Sequence, residues 1–250
     1  VSMNQNRSFQ GTAMTPLIVA AALLWASCSS DPAADTSTLP SAEVVAADET
    51  TAAATIDEVS AFRIDVWADN WSAVHVDGTL VGEDSIPITT ERSFNAESFT
   101  FEASLPFEVA IEAKDFKETD SGLEYIGESN QQMGDGGIIA QITDLDTGEV
   151  VAVTDASWAS LVVHQAPLNP ECELDVDPDA TCEFAIAETP SDWTSADFDD
   201  RGWTPATEWS AADVDPKDGY LEISWDPSAH LIWGTDLEVD NTVLLRRTVT

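Results

Sequence analysis

The residues with the clearest chemical spacing are three carboxylates, Asp175, Asp177 and Asp179, which alternate along Asp175-Val176-Asp177-Pro178-Asp179. Calcium takes six to eight hard oxygens, and a calcium loop begins with this alternation. Ala180 stands where such a loop has Gly, and Ile186 occupies the twelfth position in place of Glu. The stretch therefore reads first as a solvated acidic loop, with Ca2+ as its candidate ion and no cofactor required. Cys172 and Cys182 bracket it, ten positions apart. Paired cysteines in a chain with a leader-like N-terminus read as a disulfide made outside the cytoplasm. Such a bridge stabilises a loop of that length by about 2–3 kcal/mol.

No catalytic constellation stands out. His75, His164 and His230 show no spacing that gathers a metal. There is no Gly-x-Ser-x-Gly elbow and no Gly-rich phosphate loop. The chain carries 47 acids, so a carboxylate pair suited to glycoside hydrolysis is uninformative by residue type. The sequence points away from an enzyme.

Two stretches have the mixture of aromatic, amide and charged residues that holds polar ligands. One is Asp69-Asn70-Trp71. The other is the 24-residue connection from Lys114 to Gly137, which holds Lys114, Asp115, Lys117, Tyr125, Gln131 and Gln132. Connections longer than about 12–15 residues usually have a function or lack order. A structural alternative has Phe116 and Tyr125 pinning this connection to a sheet.

A net charge of −38 disfavours nucleic acid and anionic headgroups as partners. It suits hydration in a saline habitat, or a dedicated affinity for cations. The apolar run 17–25 is shorter than the roughly 20 residues a membrane-spanning helix needs. It matches the core of a signal peptide, and Trp25-Ala26-Ser27-Cys28 resembles a bacterial lipoprotein cleavage and attachment site. Trp25 departs from the Leu usual in such sites, which leaves ordinary signal peptidase as the alternative. Cleavage before Cys28 removes Arg7, one of nine bases, and no acid. The expected organisation is a signal peptide over 1–27, a tether over 28–57 and a folded part over 58–250. The tether has no aromatic residue and cannot offset chain entropy of about 1–2 kcal/mol per residue. Its r.m.s. span as a flexible coil is about 30 Å. The membrane is then a partner only through the lipid on Cys28. Ser29, rather than Asp, implies sorting to the outer membrane of a Gram-negative cell.

The elements that must position these residues are strands. Phe62-Arg63-Ile64-Asp65-Val66-Trp67 alternates apolar and polar, and Asp77-Gly78 joins two short apolar runs as a type I′ hairpin. Further strands are expected at 98–103, 107–113, 138–142, 150–153, 160–164, 220–225 and 242–247, with a short helical turn within 195–203. No repeat of 20–50 residues is visible. Many short strands spaced by Gly, Asp, Asn and Pro predict an all-β antiparallel sandwich.

Several segments, in order, resemble the galactose-binding-like jelly roll of bacterial α-L-rhamnosidases and β-galactosidase-type glycosidases. They are Val74-His75-Val76-Asp77-Gly78-Thr79-Leu80-Val81-Gly82, then Gly136-Gly137-Ile138-Ile139-Ala140, then Thr154-Asp155-Ala156-Ser157-Trp158. Trp193 through Phe198-Asp199-Asp200-Arg201-Gly202-Trp203 follows, and Ile232-Trp233-Gly234 and Leu244-Leu245-Arg246-Arg247 close the series. The resemblance covers residues 61–250. It implies a jelly-roll β-sandwich and an architectural role for Asp199, Asp200 and Trp203. It also implies a non-catalytic module, because the catalytic carboxylates of those glycosidases lie on another domain. The function expected is binding of an extracellular glycan or envelope polymer. A structural or adhesion module, or an accessory subunit of a glycan-degrading system, is the alternative.

Overall fold

The computed structural model describes residues 58–89 and 94–250. The expected signal peptide, Cys28 and the expected tether lie outside the described residues. Strands follow in chain order as β1 (Val59–Asp69), β2 (Trp71–Val76), β3 (Thr79–Glu83), β4 (Ala96–Ser104) and β5 (Phe107–Lys114). Next come β6 (Leu123–Glu124), β7 (Gln132–Met133), β8 (Gly137–Asp144), β9 (Val150–Val153) and β10 (Ala159–Gln165). The last are β11 (Ala185–Ile186), β12 (Thr204–Pro205), β13 (Thr207–Trp209), β14 (Leu231–Trp233) and β15 (Asp240–Val249).

One antiparallel sheet runs β13-β14-β8-β1-β4, with β9 also paired to β8. The second runs β11-β10-β15-β5-β2-β3, with β12 also paired to β10. They pack face to face as an all-β sandwich. Alternation dictates the layer between them: Phe62, Ile64 and Val66 of β1 face Val109 and Ile111 of β5 and Val243 and Leu245 of β15 in one buried cluster. Phe62 and Phe107 meet across the sheets with ring centroids 4.9 Å apart. The Asp77-Gly78 hairpin forms with φ of 47° and 81°, the double positive φ that a type I′ turn requires.

Both outer faces are partly roofed by connections. Trp67, pointing away from the sandwich core, packs with Ile139, Val214 and Leu231, and Tyr220 and Trp225 close over this group. Ala110, Val163 and Leu244 on the outside of the second sheet meet Trp193, Phe198 and Trp203. The 195–203 segment is a series of turns rather than a helix. Short helices occur instead at α1 (Pro178–Thr181) and α2 (Ala211–Val214), with 3-10 turns at Pro170–Leu174 and Tyr220–Glu222.

The strand expected over 220–225 is therefore corrected. Its apolar residues do not form a sheet face. Tyr220 packs edge-on against Trp67, and Trp225 Nε1 donates to the Tyr220 carbonyl. Among the described residues, no helix is long and apolar enough to cross a membrane.

Candidate functional site

The site begins where the chain changes sheets. β1 ends at Asp69, and the cis Asp69–Asn70 peptide leads directly into β2 of the other sheet. Asn70 is tied into this crossing at both ends: its N–H donates to the Lys114 carbonyl at 2.8 Å, and its Oδ1 accepts from Phe116 N–H at 2.5 Å. The end of β5 thereby lies beside the end of β1, and the next residue, Asp115, turns inward next to Asp69. The connection after β5 folds into the β6–β7 hairpin. That hairpin supplies Glu124, whose Oε2 accepts from Gln132 Nε2 at 3.0 Å, and then Gly134 and Asp135.

The result is a set of carboxylates at one end of the sandwich. One oxygen each of Asp69, Asp115 and Asp135 lie within 4.8 Å of one another. Asp69 and Asp115 are buried, while the Asp135 side chain is 33% exposed. Among the described residues, no hydrogen-bond donor meets either oxygen of Asp69 or Asp115 in bonding geometry. Gly134 is required here, because a Cβ would collide with the Asp115 carboxylate.

Among the described residues, one cation reaches the group. Lys217 Nζ sits 2.8 Å from Asp135 Oδ2 and 3.7 Å from Asp69 Oδ2, over the Phe94 ring at 5.0 Å. Burial raises the Asp115 carboxyl well above the usual carboxylate range, and Asp69, Glu124 and Asp135 push it the same way. Burial and Asp135 likewise raise Asp69, against the opposing pull of Lys217. Burial alone would lower the Lys217 ammonium, but Asp69 and Asp135 hold it above its ordinary value. Outside the buried floor, Asn70, Tyr125, Gln132, Asp135 and Lys217 line a depression of about 150 Å³. A larger groove of about 610 Å³ adjoins it along Gln132 and Asp135 and continues past Trp209.

Of the ligand residues expected from sequence, Asp69, Asn70, Asp115, Tyr125 and Gln132 come together here. Trp71 does not join them; its ring lies under Lys114 Nζ at 4.6 Å, and Lys114 pairs with Glu112 at 3.0 Å. Lys117 pairs with Asp120 at 2.8 Å. Gln131 is used by its own loop, accepting from Gly127 N–H at 2.6 Å and donating to the Glu173 carbonyl.

Asp175, Asp177 and Asp179 are exposed. Asp69, Asp115 and Asp135 form the single metal-sized group among the described residues, so the alternating aspartates are not gathered. The local reason is helical geometry: Pro178 starts α1 immediately after Asp177, and Asp179 turns to accept from Thr119. Cys172 and Cys182 are bonded, and with Leu123 they form a small buried cluster under the β6–β7 hairpin. Sequence reasoning missed Glu124, Asp135 and Lys217. Asp135 lay inside the long connection already singled out, and the adjacent Gly134 was the available signal.

Lys114, Lys117 and His164 line another cavity, of about 380 Å³, which Asp115 also borders. His164 is buried, neither ring nitrogen has a hydrogen-bond partner, and its ring stacks on Phe184. Burial, and then the Lys117 charge, lower its pKa to about 4. The unfolded chain takes up a proton near pH 6.5, whereas the folded chain resists until about pH 4. Stability linked to His164 is thus complete above pH 6.5 and falls with acidification through that window, by up to about 3 kcal/mol. Urea unfolding at pH 7 and pH 4.5 should show His164→Leu gaining on the wild type at the lower pH. An unchanged gap would mean that the buried ring does not control this slope.

Comparison of the chain with known protein families, with curated proteins and with solved structures found no match.

Proposed function

We propose that this chain is a non-catalytic binding module of the cell envelope, lipid-anchored through Cys28 at the outer membrane. In this reading its galactose-binding-like jelly roll takes carbohydrate or another extracellular polymer at the end carrying Asp69, Asn70, Asp115, Tyr125 and Gln132. The convergence of these residues, from three separated segments, beside a continuous groove is the observation that supports it. Sugars need such a mixture: carboxylate and amide groups for the hydroxyls, and aromatic faces such as Tyr125 and Trp209 for the C–H surface. A chain of charge −38 favours neutral glycans over anionic ones. On an array of neutral polysaccharides, Tyr125→Ala and Gln132→Ala should each weaken binding roughly tenfold, the size of one lost polar or stacking contact. An array blank both with calcium and with chelator would defeat the proposal.

A structural or adhesion role has one observation in its favour. Leu174, Val176 and Ile186, in and just beyond the disulfide loop, are 87%, 105% and 59% exposed. Stable oligomers by light scattering that dissociate on Val176→Asp would favour this second reading.

A further inference from the structure

We infer that Asp69, Asp115 and Asp135 form a binding site for one divalent cation of the calcium class. The inference stands on the cluster itself, whatever occupies the neighbouring groove. Carboxylates exposed to water cluster without consequence, but these do not share that freedom. Asp69 and Asp115 are 0% and 2% exposed, and all four of their oxygens lack a hydrogen-bond partner among the described residues. Buried polar groups are almost always satisfied, and buried charges are paired or bind metal.

Lys217 answers only part of this demand. Its ammonium contacts Asp135 and approaches Asp69. The influences on Asp115, by contrast, are led by burial and three further carboxylates, which disfavour its charge, and the Phe116 N–H is the smallest and opposes them. Among the described residues, a single ammonium against Asp69, Asp115 and Asp135 leaves a surplus of negative charge. The available donors are oxygens, with no thiolate or imidazole in the group, which selects a hard ion over zinc or copper. Calcium suits carboxylates contributed by different segments, because its coordination is adaptable in number and angle, whereas magnesium demands a near-ideal octahedron. Lys217, with its side chain 37% exposed, can swing outward as the ion enters.

The test is thermal unfolding of the full chain, stripped with EGTA and then titrated with calcium chloride or magnesium chloride. At calcium roughly a hundredfold above its dissociation constant, the midpoint should rise by roughly 5–10 °C. Asp115→Asn should melt higher than the wild type in chelator, because a buried charge is gone, yet lose the calcium response. Asp135→Asn, at the more exposed corner, keeps the fold testable if the first variant does not accumulate, and it should lower calcium affinity at least tenfold. Equal midpoints with and without calcium would overturn the inference and leave protons to balance the carboxylates. A shift with magnesium alone would overturn the calcium assignment. A calcium shift surviving both substitutions would place the ion elsewhere and overturn the site.

Discussion

Replacing Arg246 with Ala is expected to lower the unfolding free energy by about 3–5 kcal/mol, the cost of breaking a buried ion pair from one side. Arg246 lies on β15 with its side chain only 1% exposed. Its Nε donates to Asp200 Oδ2 at 3.0 Å, and a terminal nitrogen lies 3.3 Å from Glu108 Oε1. Its Nη1 donates to the carbonyls of Trp193 and Ser195, and the guanidinium covers the Phe198 ring at 5.1 Å. One residue thus fastens the 193–203 connection to the outside of the second sheet. Without it, the buried Glu108 carboxylate, already raised by burial, keeps only Thr248 as a side-chain donor. Arg246→Lys restores charge but not the planar fork, so it should recover less than half of the loss. Urea unfolding measures both variants; a cost under about 1 kcal/mol for Arg246→Ala would show the roof to be held by its aromatics alone.

Trp67→Ala should cost a similar amount, about 3–5 kcal/mol, as a large side chain leaves a packed position. Its effect is also directed at the candidate site. Trp67 is fully buried, two residues before Asp69. Its Nε1 is shared between the carbonyls of Phe94 and Asp218, at 2.9 and 3.0 Å. Phe94 carries the ring under Lys217, and Asp218 is the next residue after that lysine. The indole therefore holds both sides of the Lys217 strap. Trp67→Phe keeps much of the packing and removes the N–H, which should cost about 1–2 kcal/mol. It should also change the calcium response while the far-UV spectrum stays unchanged. A Phe variant with wild-type stability and response would show that the strap is positioned independently of Trp67.

The fold was legible in the sequence where alternation and turn chemistry agree. β1 shows period two through Phe62, Ile64 and Val66, and Asp77-Gly78 has the backbone freedom its turn demands. Legibility failed where apolar residues serve a roof. Tyr220 through Trp225 carry a strand-like pattern, but their partner is Trp67 from a distant strand, and no local period encodes that. The site divides in the same way. Asp69, Asn70 and Asp115 flank strand ends, and Tyr125 and Gln132 lie in an overlong connection, so position and residue mixture together marked them. Lys217 and Asp135 are 82 residues apart and meet only after both sheets have formed. The alternating Asp175, Asp177 and Asp179 carried the more familiar spacing, yet the prolines at 170 and 178 start short helices there and the carboxylates face solvent.

The most direct measurement is diffraction from crystals of the chain grown with millimolar calcium. The expected result is one ion among the oxygens of Asp69, Asp115 and Asp135, at about 2.3–2.6 Å, with the Lys217 ammonium displaced outward. Lys217 still bridging Asp69 and Asp135 with no ion between them, or calcium seated only on Asp175, Asp177 and Asp179, would contradict it.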